Sequence, residues 1–289
     1  LNCDETGKFF YLSLRSDQAQ SFFCDDVWKS ITGGQSWIQG GPGHGGDKEW
    51  FTIDKTNGVG HGFQYQFWTG FFACDSGQFS RSTDGGLTWM TPINLPSSAQ
   101  TGALDVDTNG NLFVAGTAGG GFRCLRSSNA QIGGQTPTFD RNTAVNLGGS
   151  LVQGGINNIG LCGQTFVAVD RSELATNNNV YMLASVEPSG RSTTDVMFSR
   201  STDSGATWAK VCEHTPTGLA CKVFNGAGYW TTAKRERNSR GEVQKYLPLG
   251  LLVSKDKGAT WELQGSPIAA GAGPYFGKDE KEIMVVTRE

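Results

Sequence analysis

The amino-acid sequence predicts an all-β chain folded as a β-propeller, and three observations predict it. Glycine is abundant, at 41 of 289 residues, aromatic residues make up 11% of the chain and charged residues only 18%. Many turns and many packed rings suit sheets better than helices. No stretch keeps a 3.6-residue apolar period long enough to require a long helix. An octapeptide also recurs along the chain, at intervals close to the size of a four-stranded blade.

The octapeptide is clearest as Ser82-Thr83-Asp84-Gly85-Gly86-Leu87-Thr88-Trp89. It returns as Ser201-Thr202-Asp203-Ser204-Gly205-Ala206-Thr207-Trp208 and as Ser254-Lys255-Asp256-Lys257-Gly258-Ala259-Thr260-Trp261. A weaker copy, Ser30-Ile31-Thr32-Gly33-Gly34-Gln35-Ser36-Trp37, carries threonine where the others carry aspartate. The pattern S-x-D-x-G-x-T-W, an Asp box, has a structural logic. The carboxylate can accept backbone N–H bonds within a tight turn, and glycine supplies a backbone angle that other residues resist. The closing Trp opens the next strand and buries a large surface. Trp37, Trp89, Trp208 and Trp261 therefore read as packing residues, and the box aspartates as fold residues rather than catalytic acids.

Box starts at 30, 82, 201 and 254 are separated by 52, 119 and 53 residues, so the middle interval hides a copy. A second repeat locates it. Trp50-Phe51-Thr52-Ile53-Asp54, Ala103-Leu104-Asp105-Val106-Asp107 and Phe166-Val167-Ala168-Val169-Asp170 each read as a buried inner strand ending in aspartate and a polar hairpin. The unit opening at 103 then owns a decayed box between Ser127 and Phe139. At the N-terminus the hairpin Asp4-Glu5-Thr6-Gly7 lacks a preceding inner strand, and the apolar run 282–287 is suited to supply one. The count is five blades in a single domain over residues 1–289, the first closed by the C-terminal strand. Six blades result if 273–287 forms two strands of a partial blade.

On these motifs the chain resembles the Asp-box, or bacterial neuraminidase repeat, propellers of the sialidase-like superfamily, over roughly residues 20 to 265. The resemblance implies a carbohydrate-active protein. Similar enzymes use an arginine triad for the sialic-acid carboxylate, a Tyr activated by Glu, and an Asp acid/base. Arginine suits a carboxylate because its donors form a planar fork. The Arg-Ile-Pro type motif that usually precedes the first box is absent, so no triad is assigned; Arg81 and Arg200 read as strand residues decorating blade surfaces.

Composition narrows the partners. A net charge of −3 gives no general attraction to nucleic acid or anionic membranes, and no apolar run approaches bilayer length. The seven cysteines (Cys3, Cys24, Cys74, Cys124, Cys162, Cys212 and Cys221) show no CxxC zinc spacing. Cys212 and Cys221 flank a short loop and could form a disulfide. Cysteine usage points to a secreted or extracytoplasmic protein, expected as a monomer without metal or cofactor. Asn177-Asn178-Asn179 lacks a calcium-loop pattern.

Blade geometry sorts the candidate site residues. First hairpins and Asp boxes share one face, while second-to-third-strand loops and inter-blade links share the other, where similar enzymes bind substrate. His61 falls on the box face; His44 and His214 lie in links. In 40–49, Gly-Gly-Pro-Gly-His-Gly-Gly-Asp-Lys-Glu, the glycines permit close approach of backbone or ligand. Asp47 and Glu49 alternate at the start of an inner strand, as a pair of carboxyl groups for glycoside hydrolysis would. They compete with a plain strand cap. Lys234 to Arg240, read as a loop, holds Arg235 and Arg237 and can bind an acidic sugar or simply be solvated; Tyr229 and Trp230 precede it. Tyr275 with Glu280, in a shaped loop at 273–281, can imitate a Tyr/Glu nucleophile pair.

The expected function is hydrolysis of an acidic glycan, with Asp47, Glu49 and His44 catalytic and Arg235, Arg237, Tyr229, His214 and Tyr275 binding substrate. One alternative is a lyase for uronate polymers, with His44, His214, Tyr229 and Arg237 in the base and carboxylate-neutralising roles. The other is a non-catalytic glycan- or partner-binding propeller.

Overall fold

The computed structural model describes residues 1–19, 21–152, 163–188, 195–212, 218–224, 227–237, 243–256, 260, 262–264, 270–276 and 283–287. The first sheet runs β1 (Asn2–Cys3), β2 (Phe9–Ser16), β3 (Phe23–Ser30) and β4 (Ile38–Pro42). The second is β5 (Asp47–Ile53), β6 (Gln64–Thr69) and β7 (Phe79–Ser82), its outer edge reduced to a bridge between Phe79 and Ile93. The third is β8 (Gln100–Val106), β9 (Leu112–Ala118), β10 (Gly121–Ser127) and β11 (Arg141–Val145). The fourth holds β12 (Gly149–Leu151), β13 (Thr165–Val169), β14 (Val180–Pro188), β15 (Asp195–Ser201) and β16 (Ala209–Cys212). The fifth is β17 (Gly218–Phe224), β18 (Ala227–Arg237), β19 (Val243–Ser254) and β20 (Glu262–Gln264). Each is antiparallel, and all but the fourth are simple meanders; in the fourth, β12 and β13 both pair with β14. The fold is a β-propeller.

Its core lies between neighbouring sheets, because alternate residues of one strand serve two partners. On β9, Leu112 and Val114 pack with Tyr65, Phe67 and Phe79 of the second sheet. Phe113 and Ala115, on the other side, pack with Val180, Met182 and Val186 of the fourth. All six residues of β6 are buried, as expected of a strand sandwiched between blades.

The box turns take the expected form. Asp84 Oδ1 accepts from Leu87 N (3.1 Å) and Thr88 N (2.9 Å), and Oδ2 from Thr88 Oγ1 (2.6 Å). Asp203 and Asp256 hold Thr207 and Thr260 in the same way. In the degenerate first box Thr32 Oγ1 accepts from Ser36 N at 2.9 Å. The hidden box is present: Asn129 Oδ1 accepts from Thr138 N (2.8 Å) and Thr138 Oγ1 (3.2 Å), and Phe139 stands edge-on to Phe79. Trp37 and Trp208 each donate to the glycine carbonyl of their own box, while Trp261 lies outside the described residues. The first hairpins are Asx turns at Asp4, Asp54, Asp107 and Asp170.

One expectation is corrected. Arg81 does not decorate a surface: it is buried and donates to the carbonyls of Ala130, Ile132 and Gln135, clamping the second blade to the decayed box of the third. The three carbonyls take its two terminal nitrogens, while Nε is left without a partner among the described residues. The inner position beside β2 is filled by β1, whereas β21 (Ala270–Phe276) and β22 (Ile283–Thr287) pair with each other in a sixth, two-stranded sheet. The disulfide joins Cys24 to Cys74, with Cα atoms 5.5 Å apart; the side chains of Cys212 and Cys221 lie outside those described.

Candidate functional site

The inner strands β5, β8 and β13 pack side by side, and their side chains meet around the axis. Trp50 of β5 stands edge-on to Phe166 of β13, ring centroids 5.3 Å apart. Asp105 of β8 accepts from Val169 N at 2.8 Å and pairs with Arg171. On the box face, Asp4, Glu5, His61, Gly62 and the Asp84 turn line one cleft of about 310 Å³. His61 is thus on the box face, as expected. It contacts Glu5 at 2.9 Å, and its pKa is raised, first by the Thr56 carbonyl and then by Glu5.

The start of β5 lies at the opposite end of the same strand. Its glycine-rich link is wedged between two blades. A Cβ on Gly45 would lie 2.7 Å from the Asp25 carboxyl, and one on Gly46 would lie 2.4 Å from Trp68 and 2.5 Å from the Thr69 carbonyl. These glycines therefore serve close packing of the chain on itself. Asp47 pairs with Thr69 and Trp50 with Phe67, three steps against two, so a β-bulge sits between them. Lys48 occupies the bulge at φ 55°. Simple alternation of Asp47 and Glu49 does not hold, because the extra residue breaks the two-residue period.

The two carboxyl groups remain electrostatically coupled. Burial holds Glu49 above its ordinary range, and the Asp47 charge adds to this. Asp47 itself is ion-paired with Lys48. Behind Glu49 stands Asp25 of β3, which the sequence reading did not single out. Asp25 is fully buried, and neither carboxyl oxygen has a hydrogen-bond partner among the described residues. Its pKa is pushed up to about 9 by burial, then by the charges of Glu49 and Asp26. One signal could have found it: on β3, Asp25 shares a face with Val27, which is buried, so an acid occupies a core register position.

The loop 70–78 closes over this corner. Cys74 is disulfide-bonded to Cys24, Phe23 N donates to Phe72 O at 2.6 Å, and Cys74 N donates to Phe23 O at 3.0 Å. Asp75 Oδ2 meets His44 Nδ1 at 2.7 Å. Asp47 and Glu49 thus share the start of β5, and His44 of the preceding link is joined to Asp75. Four of the other candidates are on other strands. Lys234–Arg237 is the end of β18, with Arg235 opposite Tyr246 and Arg237 opposite Val243, so the expected loop there is strand. Tyr229 is on the same strand, opposite Val253, and Tyr275 is on β21 opposite Met284. His214 lies outside the described residues, as do the side chains of Tyr229, Arg235, Arg237 and Tyr275. Among the described residues no group of three or more His, Cys, Asp or Glu is placed to hold a metal, and no helix is long and apolar enough to cross a membrane.

No family model matches the sequence, and no curated protein does. Solved structures resemble it at low identity. A protein of unknown function from Dyadobacter fermentans aligns with TM-score 0.49 and 16% identity, over 92% of this chain and 82% of its own. A Hadza microbial sialidase aligns with TM-score 0.48 and 17% identity, over 90% of this chain and 56% of its own. An α-L-arabinofuranosidase of Fusarium graminearum, bound to an iminosugar inhibitor, gives 0.48 and 13%, over 97% and 85%. The chain spans little more than half the length of that sialidase.

Proposed function

We propose that the protein is a carbohydrate-active propeller that hydrolyses glycosidic bonds of an acidic glycan. The observation that carries this reading is the pair of carboxyl groups at the start of β5. Glu49 is held above its ordinary pKa by burial, and Asp47 is ion-paired with Lys48. Glycoside hydrolysis needs such a pair, one protonated and one ionised. Glu49 delivers its proton to the leaving oxygen. Asp47 either removes a proton from the attacking water or attacks the anomeric carbon itself. His44, oriented by Asp75, lies at the rim of this site. Arg235, Arg237, Tyr229, His214 and Tyr275 are proposed to hold the acidic sugar, supported by the cationic and aromatic character of those segments. The protein acts as a monomer outside the cytoplasm, a reading the Cys24–Cys74 bridge supports.

One observation favours a second reading. A carboxylate on His44 Nδ1 leaves Nε2 as the basic nitrogen, a suitable base for C5 proton abstraction from a uronate polymer. Mass spectrometry of products from sialosides and uronate polysaccharides separates the two. Products carrying an added water establish hydrolysis, and unsaturated products establish a lyase. An unchanged panel replaces both with a binding role. Asp47→Asn with Glu49→Gln should abolish water-adding turnover in a folded protein; retained turnover removes these residues from the chemistry.

A further inference from the structure

We propose that Phe71 and Phe72 form a sugar-stacking subsite beside the carboxyl site, taking one ring of the glycan chain by its C–H face. The inference rests on the glycan reading above. Both side chains are exposed, at 61% and 60%, although they sit on a loop whose neighbours are fixed. Phe72 has φ 55°, a conformation that a bulky side chain resists. Four contacts hold it there: the Cys24–Cys74 bridge, the Phe23 N to Phe72 O and Cys74 N to Phe23 O hydrogen bonds, and the edge-on Phe23 ring at 5.8 Å. The brace therefore keeps two phenyl rings in water instead of letting the loop relax and bury them.

The chemistry around the rings selects the occupant. Three residues after Phe72, Asp75 meets His44 of the glycine-rich link. Ala73 lies 3.2 Å from where a Cβ on Gly46 would stand, directly before Asp47. Two aromatic faces with an adjoining rim of carboxylate, imidazole and ammonium match the two sides of a sugar. Its axial C–H groups form an apolar face and its hydroxyls form polar edges. A protein partner would require a far larger apolar patch, and a lipid tail would leave the adjoining Asp75–His44 pair unused.

The test separates binding from turnover. Calorimetric titration with 3′-sialyllactose, an arabino-oligosaccharide and an oligogalacturonate, on the full chain, should show binding of at least one. Phe71→Ala with Phe72→Ala should weaken that binding about tenfold, as loss of one ring stack does, and Phe72→Tyr should restore most of it. In turnover assays KM should rise with kcat unchanged. A monosaccharide glycoside, too short to reach the rings, should show no change. Phe72→Gly should bind as weakly as the double variant while its Tm is kept or raised, because glycine accepts φ 55° without strain. Unchanged binding in the double variant, or no binding of any of the three by the wild-type chain, overturns the proposal. Phe-dependent binding without product from the wild type overturns hydrolysis and sustains the subsite.

Discussion

Two sets of aspartates in this molecule are opposites. Those of the box turns are exposed, yet each is filled with hydrogen bonds: Asp203 accepts from Thr207 N, Thr207 Oγ1 and Ser201 Oγ. Desolvation works against its charge, but these donors outweigh it and hold its pKa at about 2. Asp256, filled first by Thr260, also sits at about 2. Asp25, at the other end of the blades, is buried and has no donor among the described residues, and its pKa is pushed up to about 9. The difference teaches that burial and donor supply act together. The exposed, donor-filled box aspartates keep their charge, and Asp25, buried without donors among the described residues, keeps its proton. Asp107, buried but donor-filled, is still held above its ordinary range by desolvation.

The largest effect should come from the face opposite the boxes. Asp47→Asn with Glu49→Gln is expected to lower turnover by about 10²–10⁴-fold, the usual scale for a lost acid/base, with Tm unchanged. An equal loss from Asp84→Asn, on the box face, would break the contrast between the two ends. Next, Cys24→Ser with Cys74→Ser should cost about 2–4 kcal/mol by urea unfolding, because the bridge spans 50 residues of chain. No loss would mean that the loop hydrogen bonds alone hold it.

Asp25 predicts a pH dependence of unusual sign. The folded protein binds its proton more tightly than the unfolded chain does, so the contribution of Asp25 is fully present below the ordinary carboxyl value of 3.8. It is lost progressively until about pH 9. The slope is at most about 1.4 kcal/mol per pH unit. Asp25→Asn should therefore raise Tm at pH 8 relative to wild type and leave it nearly unchanged at pH 4. Parallel Tm curves for the two proteins would remove the buried carboxyl from the comparison. The box aspartates work the other way: their contribution is present at neutral pH and lost as pH falls towards about 2.

Two smaller changes sharpen the box side. Asp203→Ala should cost about 1–2 kcal/mol in unfolding free energy, the scale of a lost turn cap. Thr32→Asp should gain about 0.5 kcal/mol, since Thr32 already accepts from Ser36 N and a carboxylate accepts more strongly. A destabilised Thr32→Asp would show that the first box has diverged beyond repair.

Legibility in the sequence followed the range of the interactions. The box at 127–139 could be located from the 119-residue interval together with the inner-strand repeat, because a blade has a nearly fixed chain length and its turn is held by residues within about ten positions. That Asp47, Glu49 and His44 stand close along the chain was legible for the same reason, since all three fall in one link. Asp25 was hidden, because its meaning depends on Gly45 and Glu49 of the neighbouring blade. Arg81 was misplaced because its three carbonyl partners lie about fifty residues away. The bulge at Lys48 also escaped, since nothing local announces an extra residue in the ladder.

By itself the sequence determined the blade repeat, the turn chemistry and the end of the molecule at which its unused carboxyl groups gather. All of these are set by contacts within a turn or a hairpin. Only the tertiary structure decided which acid is stripped of donors, where Cys24 finds its partner, how the last two strands pair and which phenyl rings stay in water. Each of those depends on what a neighbouring blade places against the residue, and burial and donor supply are properties of the packed whole.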